Sequence, residues 1–184
     1  MIAIVNFGSR KTPLIGEMVN ACGAETKILD WKNCTQADFK NIDGIIFSGS
    51  PTMFTEADHQ PYVEKFSFVK SGKIPTLGIC FGHQLMGILH GAQIFRGVEV
   101  CTRIKINIVK EDVLFTGLSP QTEMNEDHTE GITLPPGFIH LATSASYTIE
   151  AMRHPNLPLW SVQFHPESFL TPLGIKLLEN FLSL

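Results

Sequence analysis

No basic cluster stands out in this sequence. Its 184 residues carry 14 Lys and Arg against 18 Asp and Glu, a formal net charge of -4, so nucleic acid is not expected as a partner. No apolar run approaches the roughly 18 residues of a membrane span. The N-terminus, M-I-A-I-V-N-F-G-S, enters a strand-like run directly, without a basic segment and apolar core ahead of it, so no export signal is expected. The four cysteines, Cys22, Cys34, Cys80 and Cys101, have no C-x-x-C spacing. A disulfide framework is not read from them, no metal or cofactor is expected, and a reducing, cytoplasmic setting fits best. There is no phosphate-binding P-loop, internal repeat, low-complexity tract or linker. One domain over 1–184 is the expectation, of a size that buries roughly 70% of the unfolded chain's surface.

What is present is an alternation of short apolar runs and amphipathic stretches. Ile2–Val5, Thr26–Leu29, Gly44–Phe47 and Pro75–Ile79 read as buried strands. Between them, residues 12–21, 58–70 and 82–89 carry apolar side chains at helical spacing, the first stopping at Gly23. The pattern predicts an open, mostly parallel α/β sheet with helices on both faces. Beyond about residue 93 the helical spacing fades. Ile104–Ile108, Ile139–Ala142 and Leu159–Val162 read as strands separated by turns, expected as antiparallel additions beside the parallel core. A last helix is expected over about 172–182.

Three stretches carry chemistry. In Gly78-Ile79-Cys80-Phe81-Gly82 a thiol sits between two glycines, where a strand turns into a helix. Such a turn exposes a nucleophile at the carboxyl edge of a sheet, the helix N-terminus favours thiolate, and the Phe81 N–H can face an oxyanion. The same residues also suit a small buried cysteine near a turn. In Val162-Gln163-Phe164-His165-Pro166-Glu167, His165 has the position of a base and Glu167 that of its orienting acid. A surface His-Pro-Glu loop is the plainer alternative. Phe47-Ser48-Gly49-Ser50-Pro51 ends the third strand, where the Gly49 and Ser50 N–H groups can supply a second oxyanion donor or simply make a turn. All three stretches fall at expected carboxyl ends of strands, where open α/β sheets place their sites.

With these motifs the sequence resembles the class I glutamine amidotransferases, over residue 2 to the end. The carrying residues are Gly78-Ile79-Cys80-Phe81-Gly82-His83-Gln84, Ser48-Gly49-Ser50-Pro51 and Val162-Gln163-Phe164-His165-Pro166-Glu167. The resemblance implies a flavodoxin-like fold in which Cys80 attacks the side-chain amide of glutamine, His165 and Glu167 complete a triad, and a γ-glutamyl thioester is hydrolysed. The ammonia passes to a synthase partner, and Gln84 matches a position that contacts substrate. Asn6-Phe7-Gly8-Ser9 together with the 47–51 loop is similar to the free-standing glutaminase subunit of GMP synthase, which implies an ATP-pyrophosphatase partner. The tail, His165 to Thr171 and Leu177 to Leu182, looks more like component II of anthranilate or aminodeoxychorismate synthase, whose S-P-G-P-G turn is absent. Two departures stand out: Gly49-Ser50 replaces the family's Gly-Gly, and Met124-Asn125-Glu126-Asp127-His128 occupies the loop expected to bind the glutamine backbone, where Glu126 would oppose its carboxylate. A free-standing γ-glutamyl amide hydrolase and a catalytically idle binding protein remain as alternatives.

Overall fold

The computed structural model describes residues 1–168 and 173–184. The chain opens with β1 (Ile2–Asn6), α1 (Thr12–Ala21), β2 (Thr26–Asp30), β3 (Gly44–Phe47), α2 (Gln60–Phe66), β4 (Thr76–Ile79) and α3 (Phe81–Leu89). Seven strands follow: β5 (Ile94–Val100), β6 (Arg103–Ile108), β7 (Gln121–Asn125), β8 (His128–Ile132), β9 (Ile139–Thr143), β10 (Ala151–Arg153) and β11 (Leu159–Val162). Helix α4 (Gly174–Leu182) ends the described chain.

Nine strands form one sheet in the order β2-β1-β3-β4-β11-β10-β9-β6-β7, and β5 pairs with β8 in a separate two-stranded sheet. The first five strands of that order are mutually parallel. The rest are antiparallel. Leu159–Val162, expected among the antiparallel additions, instead pairs parallel with β4, while antiparallel to β10. The reason lies in its burial. All four of its residues are buried, as befits a central strand covered on both faces. The expected helix over 58–70 is α2 plus a 3₁₀ turn over Ser67–Ser71, ended by Gly72 at φ +62°; Pro61 in the first turn sets the later start. Residue 172, the expected start of the last helix, lies outside the described residues.

Strand alternation sorts the core into two layers. From β1, Ile2 and Ile4 join Ile15 and Val19 of α1 and Leu177, Leu178 and Phe181 of α4. Ala3 and Val5 face the other way, with Tyr62 and Phe66 of α2 and Leu85 and Met86 of α3. Helices therefore cover both faces of the parallel half, and each fully buried Ile or Phe contributes about 1.5–3 kcal/mol. With both faces covered, the loops after β1, β3, β4 and β11 are left together at one edge of the sheet, beside the point where the order reverses around β1.

Candidate active site

Cys80 occupies the turn from β4 to α3 with φ +52° and ψ -106°. Such a backbone costs a residue with a Cβ about 1–3 kcal/mol and persists only where the surroundings impose it. Three hydrogen bonds do so: the Cys80 N–H donates to Val162 O at 2.9 Å, the Cys80 carbonyl accepts from Gln84 N–H at 3.0 Å, and the Gly82 N–H donates to Ser48 O at 3.1 Å. The flanking glycines are needed for close approach. A Cβ on Gly78 would lie 2.4 Å from Gly82 O, and one on Gly82 would lie 2.4 Å from Phe47 O. The Phe81 ring, stacked on Phe54 at 4.1 Å between centroids, anchors the start of α3. Its N–H is the first of the helix and has no carbonyl one turn upstream to accept it.

β11 parallel to β4 brings its own carboxyl end beside that turn. His165 follows β11, and its N–H donates to Asn125 O at 2.9 Å. Its Nδ1 lies 2.7 Å from Glu167 Oε1. His165 is 3% and Glu167 1% exposed, so little water competes for this contact. The imidazole is also hydrogen-bonded to Cys80. Burial disfavours its charge, but the Cys80 sulfur and the Glu167 carboxylate together hold the ring's pKa well above the ordinary histidine value. The three residues, far apart in sequence, thus form one contiguous line.

The loop after β3 closes over them. A Cβ on Gly49 would sit 3.2 Å from His165 Cε1 and 3.8 Å from Cys80 Cβ, so only glycine fits there without displacing the imidazole. Ser50 is accommodated differently. Its Oγ–H turns back to donate to Phe7 O at 2.8 Å while its Oγ accepts from Thr52 N–H at 3.0 Å. Ser48 is buried and braces the same loop, accepting from Phe7 N–H at 3.1 Å and donating to Gly49 O at 2.9 Å. Gly49, Ser50 and Phe81 therefore surround Cys80.

A cleft of about 710 Å³ opens above Cys80, lined by residues 8–11 and 50–53 and by Phe81, Gln84, Asp127, Glu130 and His165 among others. The Gln84 side chain forms part of its floor, donating to Glu130 O at 3.2 Å. Glu126 does not line it. Its carboxyl is fully buried, and burial pushes its pKa up to about 8. The expected opposition to a substrate carboxylate at Glu126 is thus relieved; Asp127, the next residue, reaches the cleft instead and pairs with Lys11 Nζ at 2.9 Å. Burial would raise the Asp127 pKa, but Lys11 outweighs it and holds the carboxyl below its ordinary value. Sequence reading missed Lys11, Asp127 and Glu130. Glu130 pins the 53–55 segment, accepting from Phe54 N–H at 2.9 Å and Thr55 N–H at 2.6 Å. Lys11 could have been suspected from its place just past β1, at the edge where such folds gather ligands.

A model of the family described as "Glutamine amidotransferase class-I" matches residues 3–184. The chain belongs to this family. The amidotransferase is 36% identical to the glutamine-hydrolysing subunit of GMP synthase from Pyrococcus abyssi, with 100% of this chain and 98% of the relative covered. It is 33% identical to the protein of the same name from Archaeoglobus fulgidus, covering 98% of this chain and 96% of the relative. Among solved structures, the amidotransferase superposes on a Thermoplasma acidophilum protein described as a GMP synthase subunit with a TM-score of 0.91 at 25% identity, over 99% of this chain and 92% of the other. A Thermotoga maritima glutamine amidotransferase gives a TM-score of 0.79 at 18% identity, over 90% and 75%, a likeness of fold alone. Among the described residues of the amidotransferase, no helix is long and apolar enough to cross a membrane.

Proposed function

We propose that this chain is the glutaminase subunit of a two-subunit GMP synthase, working in the cytoplasm: it hydrolyses glutamine and hands ammonia to a separate ATP-pyrophosphatase subunit that aminates XMP. The observation that carries the reading is the contiguous line of Cys80, His165 and Glu167 on a strained turn, in a chain whose full-length relatives are named as the glutamine-hydrolysing part of GMP synthase.

The chemistry follows from that line. The Cys80 thiolate attacks the side-chain carbonyl carbon of glutamine, and the oxygen takes up the electron pair. The Phe81 N–H and the N–H of Gly49 or Ser50 stabilise this oxyanion; one such donor contributes roughly 100- to 1000-fold in rate. His165, protonated because two anions flank it, gives its proton to the nitrogen, and the C–N bond breaks to release ammonia. Neutral His165 then takes a proton from water, which attacks the thioester; glutamate leaves and the thiolate returns. Glu167 holds the imidazole orientation through both steps, and Gln84 helps seat the substrate.

The test is steady-state glutamine hydrolysis by the purified chain, alone and with an ATP-pyrophosphatase subunit, ATP and XMP. The expected outcome is a slow reaction alone, a partner-stimulated one with XMP, and GMP formed from glutamine nitrogen. A kcat/KM of about 10⁴ M⁻¹s⁻¹ or more for the chain alone would replace this reading with a free-standing hydrolase. No turnover in any pairing, with Cys80 inert to glutamine-mimicking electrophiles, would leave a binding protein.

A further inference from the structure

Behind the cleft wall lies a buried group of side chains that glutamine hydrolysis does not use. Glu126, in the turn between β7 and β8, is fully buried, as is Glu150, just ahead of β10. The His128 side chain, at the start of β8, is 3% exposed. One carboxylate oxygen from each acid and a ring nitrogen of His128 lie within 4.8 Å of one another. The three residues come from two separate parts of the chain, and their convergence in the interior is a property of the fold.

The hydrogen bonds fix what each atom offers. His128 Nδ1 lies 2.8 Å from the Glu130 carbonyl oxygen. A carbonyl only accepts, so Nδ1 carries the hydrogen, and in the neutral ring Nε2 presents a lone pair. Nε2 is 2.9 Å from Glu126 Oε2, yet neither atom has a hydrogen-bond partner, because the approach lies off the donor direction; Glu126 Oε1 and Glu150 Oε2 have none either while both acids are ionised. The other Glu150 oxygen accepts from Ser144 Oγ–H at 2.6 Å. Several buried electron pairs thus converge with no donor between them. Buried polar atoms in this state require a cation, or a proton shared between the two acids, to offset their desolvation.

We propose that Glu126, His128 and Glu150 form a structural binding site for a divalent transition-metal ion of the Zn²⁺ or Mn²⁺ class. One imidazole nitrogen with two carboxylates suits these ions, whereas Ca²⁺ and Mg²⁺ favour more numerous oxygen ligands. Two carboxylates, a neutral imidazole and a divalent ion sum to zero charge, which suits a dry interior. The surroundings match those of metal ligands. The hydrogen bond from Nδ1 to a backbone carbonyl orients Nε2, and Ser144 orients Glu150. Zinc donors at about 2.0–2.2 Å in a tetrahedral arrangement stand roughly 3.3 Å apart, close to the 2.9 Å between His128 and Glu126, so small carboxylate rotations complete the set. The ion would join the β7–β8 turn to the segment before β10. Both border the catalytic strand end: Asn125 O accepts from His165 N–H at 2.9 Å, and Glu150 O accepts from Gln163 N–H at 2.8 Å. Metal occupancy would therefore stiffen the wall that carries His165. This inference does not depend on the proposed reaction.

The test uses the full chain as Cys80→Ala, which removes the thiol as a competing zinc donor. After chelator treatment it is dialysed against Zn²⁺ or, separately, Mn²⁺. Bound metal is quantified, and the zinc form is studied by X-ray absorption. Expected are one ion per chain and a shell of oxygen and nitrogen donors with one imidazole and no sulfur. Adding Glu126→Gln or Glu150→Gln should weaken binding at least tenfold. Failure of both ions to bind at about 100 μM, sulfur in the zinc shell, or unchanged affinity in both glutamine variants would overturn the proposal. If the glutamine variants do not fold, the absorption spectrum of the Cys80→Ala chain decides alone.

Discussion

Replacing Cys80 by glycine and by alanine separates what the turn costs from what the sulfur does. Both variants lack the thiol, and both should be inactive as glutaminases. They differ by one methyl at a backbone of φ +52° and ψ -106°. At an ordinary buried position the glycine variant would be the less stable. It loses about 0.8 kcal/mol of buried methyl, and about 0.5–1 kcal/mol more through the greater freedom of its unfolded chain. At Cys80 the strain acts oppositely, since holding that conformation costs a residue with a Cβ about 1–3 kcal/mol and glycine avoids it. The terms nearly cancel or favour glycine. Cys80→Gly is therefore expected to match Cys80→Ala in stability, or to exceed it by up to about 1.5 kcal/mol; a shift of that size raises the melting temperature of a domain this long by a few degrees.

The assay is urea unfolding of both variants, compared at equal denaturant slopes, with an Ala→Gly change at the buried, ordinary position Ala142 as control. If Cys80→Gly falls below Cys80→Ala by as much as the control pair differs, the turn carries no strain. The hydrogen bonds to Val162 and from Gln84 would then be holding a conformation the chain prefers anyway.

His165→Ala should abolish detectable turnover, whereas Glu167→Gln should leave a slow enzyme. Glu167 is one of two anions raising the His165 pKa, so the alkaline limb of the Glu167→Gln pH–rate profile should move to lower pH; an unmoved limb would contradict this. Gly49→Ala puts a Cβ 3.2 Å from His165 Cε1 and should lower kcat/KM by up to about 100-fold, the scale of a misplaced catalytic group, with little change in the urea midpoint. His83 is fully buried, and burial, aided by His128, lowers its pKa from 6.5 to about 3. Between those values the unfolded chain binds more protons, so stability falls as pH drops through the window, by up to about 3 kcal/mol at pH 4. His83→Gln should flatten this acid limb in unfolding measurements, and an identical limb would remove His83 as its source.

The parallel half of the fold was legible because β1, β3 and β4 are buried on both faces and so read as short apolar runs. The strands that were missed do not look like that. β5 exposes five of its seven residues, β10 has three residues, and β7 and β8 carry Glu123, Asn125, His128 and Glu130. Their pairing is decided by partners distant in sequence rather than by local pattern. The site divides the same way. Cys80, His165 and Glu167 each sit in a local motif at a strand end. Lys11 and Asp127, by contrast, meet across 116 positions, and no local signal announces such a pair.

Glu126 shows what one residue of phase decides. Read as a loop residue, it would face substrate. In the structure the alternation of an extended chain runs on from β7 into β8, so Glu126 and His128 point to one side and Asp127 to the other. That single parity sends Asp127 out to Lys11 at the cleft and turns Glu126 inward toward Glu150. A shift of one residue would exchange the two, placing an acid with no lysine beside it in the interior and a carboxylate at the mouth where glutamine must enter. The buried carboxyl group is thus a consequence of the same register that keeps the cleft open to an anionic substrate, and the desolvation that burial imposes on it is what a bound cation would offset.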